Sequence, residues 1–100
     1  RFPSAVELEL YHLIIEALNN TLKHAQATEV AIRLAADDSR VRLVVADNGC
    51  GFDPQPAPVG LGLKNMHERV ERLGGSLTIL SAPGAGTQIM VEFDRPDTVE

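Results

Sequence analysis

Residues 30–47, VAIRLAADDSRVRLVVAD, decide the fold class. Val30, Ile32 and Leu34 alternate with Ala31, Arg33 and Ala35, and Val41, Leu43 and Val45 alternate with Arg42, Val44 and Ala46. A period of two predicts two strands, each with one apolar face. Asp37-Asp38-Ser39 between them is turn chemistry, so the pair should form an antiparallel hairpin.

Upstream the period is that of a helix. Leu10, Leu13, Ile14, Ala17, Leu18 and Thr21 recur at helical spacing, predicting a helix over about 5–25. Ser4 with Glu7 three residues later reads as a capping box at its start. Downstream, residues 48–60 (NGCGFDPQPAPVG) carry three Pro and three Gly and read as a loop. A second helix follows over about 62–73, with Leu63, Met66, Val70 and Leu73 on one face and Gly74-Gly75 as its stop. Residues 77–80 and 88–93 read as two more strands and 94–100 as a tail. Helix, hairpin, loop, helix, hairpin is the order of an α+β two-layer sandwich in one domain, with a mixed, mostly antiparallel sheet and helices on one face.

Composition narrows the function. The chain has 100 residues, nine basic and fourteen acidic, for a net charge of −5. That balance, without a basic block, argues against nucleic acid as a partner. No apolar run reaches the length of a membrane span and no signal peptide is visible, so no direct membrane contact and a cytoplasmic location are expected. The single cysteine, Cys50, excludes an internal disulfide and a cysteine-built metal cage.

Four segments carry candidate chemistry. On the first helix Glu16, Asn20 and Lys23 line up at i, i+4 and i+7, with His24 beside them. This is either a solvated face or a site in which an amide oxygen supplies one ligand to Mg²⁺ and Lys23 neutralises phosphate. Asp47-Asn-Gly49-Cys-Gly51 ends the second strand, and the proline-rich residues after it cannot return as a hairpin partner. A carboxylate followed by two spaced glycines suits a planar ring: Asp47 can accept from an exocyclic amine while Gly49 and Gly51 leave room for the ring. Gly60-Leu61-Gly62-Leu63 opens the second helix, where free N–H groups and the helix dipole favour phosphate, although an ordinary glycine turn reads the same way. Gly84-Ala-Gly86-Thr87 opens the last strand, and Thr87 is either a plain β-branched strand residue or a hydroxyl for a bound base.

Taken in order, these segments resemble the GHKL (Bergerat-fold) ATPases, and within them the ATP-binding catalytic domain of two-component sensor histidine kinases. The short-lid subgroup that includes the nitrate/nitrite sensors is the nearest in pattern. Residues 16–25 (EALNNTLKHA) match the N-box, and Asp47-x-Gly49-x-Gly51, Gly60-Leu61-Gly62-Leu63 and Gly84-x-Gly86-Thr87 match the glycine boxes. The likeness covers about residues 3–93. It implies a Bergerat fold, ATP and Mg²⁺ as cofactors, and a role for each matching residue. Asn20 would coordinate Mg²⁺, and Lys23 and His24 would meet the phosphates. Asp47 would accept from the adenine amine, with Gly49, Gly51 and Thr87 completing that pocket. Gly60 to Leu63 would lie under the phosphates, and residues 52–59 would be a short ATP lid. Glu16 activates water in the hydrolysing members and would serve the metal shell in a kinase.

The resemblance also implies partners. They are ATP and ADP, the dimerisation and phosphoacceptor domain of the same kinase, and a downstream response regulator. None of His12, His24 or His67 lies in a phosphoacceptor motif, so the resemblance implies a donor half, from the cytoplasmic part of a sensor that could be membrane-anchored. Two other tasks fit the residues: ATP hydrolysis or anti-sigma-type serine phosphorylation by the same fold, and a non-catalytic interaction module in which the glycines are only turns.

Overall fold

The computed structural model describes residues 3–21, 27–50 and 63–95. Six elements follow in chain order: α1 (Ser4–Asn20), β1 (Val30–Ala36), β2 (Arg40–Asp47), α2 (Leu63–Arg72), β3 (Ser76–Ser81) and β4 (Thr87–Asp94). The order is the expected one, and α1 and α2 fall within the spans that periodicity assigns them. The lid at 52–59, the chain at 22–25 and residues 96–100 lie outside the described residues. β4 runs one residue into the segment read as tail, with Asp94 opposite Arg40 and the Arg95 N–H donating to the Ser39 carbonyl at 2.8 Å.

The start of α1 departs from the capping-box reading. Pro3, not Ser4, is the N-cap, and its carbonyl accepts from the N–H groups of Val6 and Glu7 at 3.0 and 3.1 Å. Proline arrives with its φ preset and no N–H to satisfy, so it suits a helix entry, and Ser4 becomes the first helical residue. The β1–β2 turn forms as its residues dictate. Asp37 Oδ1 accepts from the N–H groups of Ser39 and Arg40, each at 2.8 Å, in an Asx-type turn. Those two backbone donors, helped by the Ser39 hydroxyl and the Arg40 charge, hold the Asp37 carboxyl below its ordinary pKa.

The sheet order is β1-β2-β4-β3, and every pairing among the described residues is antiparallel. Alternation places Val41, Leu43 and Val45 of β2 and Ile89, Val91 and Phe93 of β4 on one face, and all six are buried. The register joins them into rows: Leu43 stands between Leu34 and Val91, Val45 between Ile32 and Ile89, and Val41 opposite Phe93. Leu10, Leu13 and Ala17 of α1 and Met66 and Val70 of α2 close this core from above. The other face carries ion pairs, Arg42 to Glu92 at 3.0 Å and Arg40 to Asp94 at 2.7 Å, beside Val44, Met90 and Leu80.

The helical cover stops at β2. Val30, Ile32 and Leu34 lie on the core side of β1 but stay 42%, 42% and 52% exposed. Leu8, Tyr11 and Ile15, spaced at three and four along α1, are also exposed. Strand periodicity therefore finds β1 correctly, while the burial that its apolar row implies is not realised within the described residues.

One carboxylate joins the two helices. Glu9 of α1 accepts from Arg69 at 2.8 Å and Arg72 at 3.2 Å on α2. Burial pushes the Glu9 pKa up, but the hydrogen bonds and charges of Arg72 and Arg69 outweigh it, and the net position is below the ordinary value. α2 then ends in a Schellman cap. The Gly74 N–H donates to the Glu71 carbonyl at 2.9 Å and the Gly75 N–H to the Val70 carbonyl at 3.0 Å, with Gly74 at φ +70°. Gly75 lies flat against β4, where a Cβ would overlap the Glu92 carbonyl and the Phe93 Cβ.

Two outcomes follow for stability. Gly75→Ala should cost about 3 kcal/mol, since only backbone and the buried Phe93 Cβ could yield, and lower Tm by more than about 10 °C in a thermal melt. Glu9→Gln should cost about 1 kcal/mol near neutral pH. Because the folded pKa of Glu9 lies below the unfolded one, this contribution is complete above the unfolded value of about 4.3. It fades as pH falls through the folded value, so melting curves of wild type and Glu9→Gln should converge in acid.

Candidate functional site

The core-facing row of the sheet changes chemistry at one end. After Val41, Leu43 and Val45 the next residue on that side of β2 is Asp47, opposite Thr87 of β4, which in turn stands opposite Ser81 of β3. A carboxylate and two hydroxyls thus close rows that are otherwise apolar. The end of α1 lies above them, because Thr21 Oγ1 reaches Asp47 Oδ2 at 3.3 Å. α2 finishes at the far end, where Gly75 meets Glu92 and Phe93.

Asp47 is half-buried and held at both oxygens. Oδ1 accepts from the Gly49 N–H at 2.8 Å and Oδ2 from Thr21. A carboxylate offers about four lone-pair directions, so capacity remains to accept from an outside amine. Thr87 Oγ1 and Ser81 Oγ are 2.9 Å apart, and Ser81 also reaches the Gly86 carbonyl at 3.1 Å. A cleft of about 460 Å³ opens at this end, walled by Asp47, Ser81 and Thr87 from the core-facing row and Ala46, Leu80 and Gln88 from the opposite row.

Asn48 explains why the Asn-Gly pair makes no hairpin here. Its Oδ1 accepts from the N–H groups of Thr28 and Glu29 at 2.9 and 3.0 Å, and its Nδ2 donates to Thr28 Oγ1 at 2.9 Å. The side chain thereby clamps the entry to β1 onto the end of β2 and leaves Asp47 and Gly49 for the site. Gly86 is the second requirement. It sits at φ +77°, and a Cβ there would strike the Asp47 carbonyl.

The sequence-predicted residues divide into three groups. Asp47, Gly49 and Thr87 are brought together as described. Asn20 is the last residue of α1, half-buried and adjacent in sequence to the Thr21 that touches Asp47; Glu16 lies one turn earlier, also half-buried. Leu63 is the first residue of α2. Lys23, His24, Gly51, Gly60, Leu61 and Gly62 lie outside the described residues.

Sequence reasoning missed Ser81 and Thr21. Ser81 has no motif and is found only through register. Thr21 was counted with the apolar stripe and is indeed buried, yet its hydroxyl meets a carboxylate. The signal available was a hydroxyl residue in an otherwise apolar stripe, directly after Asn20. Among the described residues no three His, Cys, Asp or Glu side chains cluster to hold a metal. A metal here would need oxygen ligands from elsewhere, as Mg²⁺ takes them from phosphates and water.

Comparison with known proteins agrees with this geometry. The family of histidine kinase-, DNA gyrase B- and HSP90-like ATPases matches residues 5–97. The chain is 42% identical over 101 residues to the signal transduction histidine-protein kinase/phosphatase DegS of Brevibacillus brevis, covering all of this chain and 26% of that protein. It is 37% identical over 93 residues to the sensor protein VraS of Staphylococcus aureus (strain COL), covering 92% of this chain and 27% of that one. The chain therefore spans about a quarter of the length of these relatives.

Among solved structures, the histidine kinase domain of the Erythrobacter litoralis EL346 blue-light activated kinase superposes with a TM-score of 0.78 at 25% identity. That match takes in 91% of this chain and 45% of the other. The ATP-binding domain of PrrB from Mycobacterium tuberculosis shares the fold, with a TM-score of 0.76 at 23% identity over 90% of this chain and 69% of the other. Motif order, fold and family profile coincide, and the chain belongs to the histidine kinase-, DNA gyrase B- and HSP90-like ATPases, the GHKL superfamily with its Bergerat fold.

Proposed function

We propose that this chain is the Mg-ATP-binding catalytic domain of a sensor histidine kinase, which passes the γ-phosphate to a histidine on a separate dimerisation domain. The observation that carries the proposal is Asp47, a half-buried carboxylate fixed at the end of β2 by Gly49 and Thr21 and facing Thr87. That is an acceptor prepared for one planar, amine-bearing base, which is what adenine presents. Guanine held in the same pose would set its 6-carbonyl against the carboxylate, an oxygen where adenine offers its 6-amine.

The phosphate end follows from position. Asn20 would give its amide oxygen to Mg²⁺, with phosphates and water completing the shell. Lys23 and His24 would neutralise phosphate charge, and the Gly60–Leu63 N–H groups would cradle it at the start of α2. Bound Mg²⁺ would supply neutralisation of the charge on the transferring phosphoryl group. The rest of the catalysis is positioning, with no covalent step on this chain. The phosphoacceptor domain and a response regulator complete the proposed partners. The proposed location is the cytoplasm, either free or as part of an anchored sensor; among the described residues no helix is long and apolar enough to cross a membrane.

A second reading is ATP hydrolysis, favoured by Glu16, which stays half-buried one turn before Asn20. Steady ATP turnover that disappears in Glu16→Gln would select it.

The test is thermal melting of the purified chain with Mg²⁺ and ATP, ADP or GTP. Ligand at about a hundred times its Kd adds about 2.7 kcal/mol, several degrees for a domain of this size. ATP and ADP should raise Tm and GTP should not. Asp47→Asn should remove the adenine response, while Asn20→Ala should remove only its dependence on Mg²⁺. A cooperatively melting wild type with no nucleotide response would overturn the reading.

A further inference from the structure

Thr21 is the one polar side chain in the buried class among the described residues, at 6% exposure. Nothing in the apolar core requires a hydroxyl there, since Leu10, Leu13 and Ala17 fill the same face of α1. Its single proton has two acceptors. One is the Ala17 carbonyl at 3.2 Å, the ordinary partner of a helical threonine four residues on. The other is Asp47 Oδ2 at 3.3 Å, 26 positions away in sequence and on another element. A charged acceptor draws a donor more strongly than a neutral carbonyl already engaged in the helix.

We infer that Thr21 is the positioning residue of the base pocket, fixing the Asp47 carboxylate in the orientation that accepts from the 6-amine of adenine. This rests on the adenine-nucleotide reading above and adds to it the residue that sets base selectivity. The geometry explains the need. Gly49 holds only Oδ1. With one anchored oxygen the carboxylate can still swing about its Cβ–Cγ bond, and the second anchor removes that freedom. Thr21 supplies it from the residue next to Asn20, so one turn of α1 serves both ends of the nucleotide. The base contact and the proposed metal contact then keep a constant separation.

The experiment measures nucleotide affinity by calorimetry on the purified chain and on Thr21→Val, Thr21→Ala and Thr21→Ser. Valine keeps the volume and removes the hydroxyl; alanine removes the hydroxyl and the methyl with a better helix former. Both should weaken ATP, ADP and adenosine by the same factor, roughly tenfold, and narrow the preference for ATP over GTP. Serine should return affinity to within about twofold of wild type, a rescue that a purely space-filling role would not show.

Three results would overturn the inference alone: a wild type that binds ATP while valine and alanine variants bind it equally well, a loss confined to ATP with adenosine unaffected, or a serine variant no better than alanine. If wild type itself binds no adenine nucleotide, the functional reading falls and takes this inference with it.

Discussion

The antiparallel pairing of β2 with β4 is the contact on which core and site both depend. These strands are distant in sequence, and their register sets every layer of the molecule. At one end it puts Val41 against Phe93, both essentially inaccessible, and in the middle Leu43 against Val91. At the other end the same ladder brings Asp47 opposite Thr87. A slip of one residue would turn the apolar row to solvent and the carboxylate to the open face together. Stability and the site therefore cannot be altered independently along this pair. Apolar burial holds the register, and the register delivers the polar row.

Local signals in the sequence are read well because their causes are local. Alternation finds all four strands, the 3.6 period finds both helices, and Gly74 marks the end of α2 because only a left-handed residue closes that cap. The sandwich follows from element order. The strand order β1-β2-β4-β3 does not, because it requires β4 to cross next to β2, a long-range choice that no window contains. Nor does the sequence reveal that Val30, Ile32 and Leu34 remain half-exposed: a period of two says which face is apolar, not whether anything lies on it. The Ser4 capping box fails for a different reason, since Pro3 is a competent helix entry one residue earlier.

Within the site the legible part is the part with a motif. Asp47, Gly49 and Thr87 can be placed by resemblance, and the sheet register brings these three to one end. Thr21, Asn48 and Ser81 are invisible to that reasoning because they act on the motif residues. Asn48 diverts an Asn-Gly pair from a hairpin to a clamp on residues 28 and 29. Ser81 reaches Thr87 only because β3 and β4 are in register. Gly86 falls between the groups: it belongs to a motif, but its requirement is mechanical, a positive φ and the bare approach to Asp47.

That division bears on how such a site can discriminate. A carboxylate at a strand end is a promiscuous acceptor while it can rotate, since it meets water, lysine or any amine on equal terms. Selectivity needs its free lone pairs aimed before the ligand arrives, so that ordering is not deducted from binding. Here the aiming groups are a backbone N–H two residues on and a hydroxyl from the helix above, both fixed by the fold rather than by the ligand. The row that Asp47 closes is otherwise apolar, with Val45 and Ile89 next along it. A donor that fits is paired at no rearrangement, whereas an acceptor in its place leaves a desolvated carboxylate facing another oxygen. On the proposed reading, the asymmetry between these two outcomes, larger than the strength of any one hydrogen bond, would let a small open sheet distinguish one purine from another.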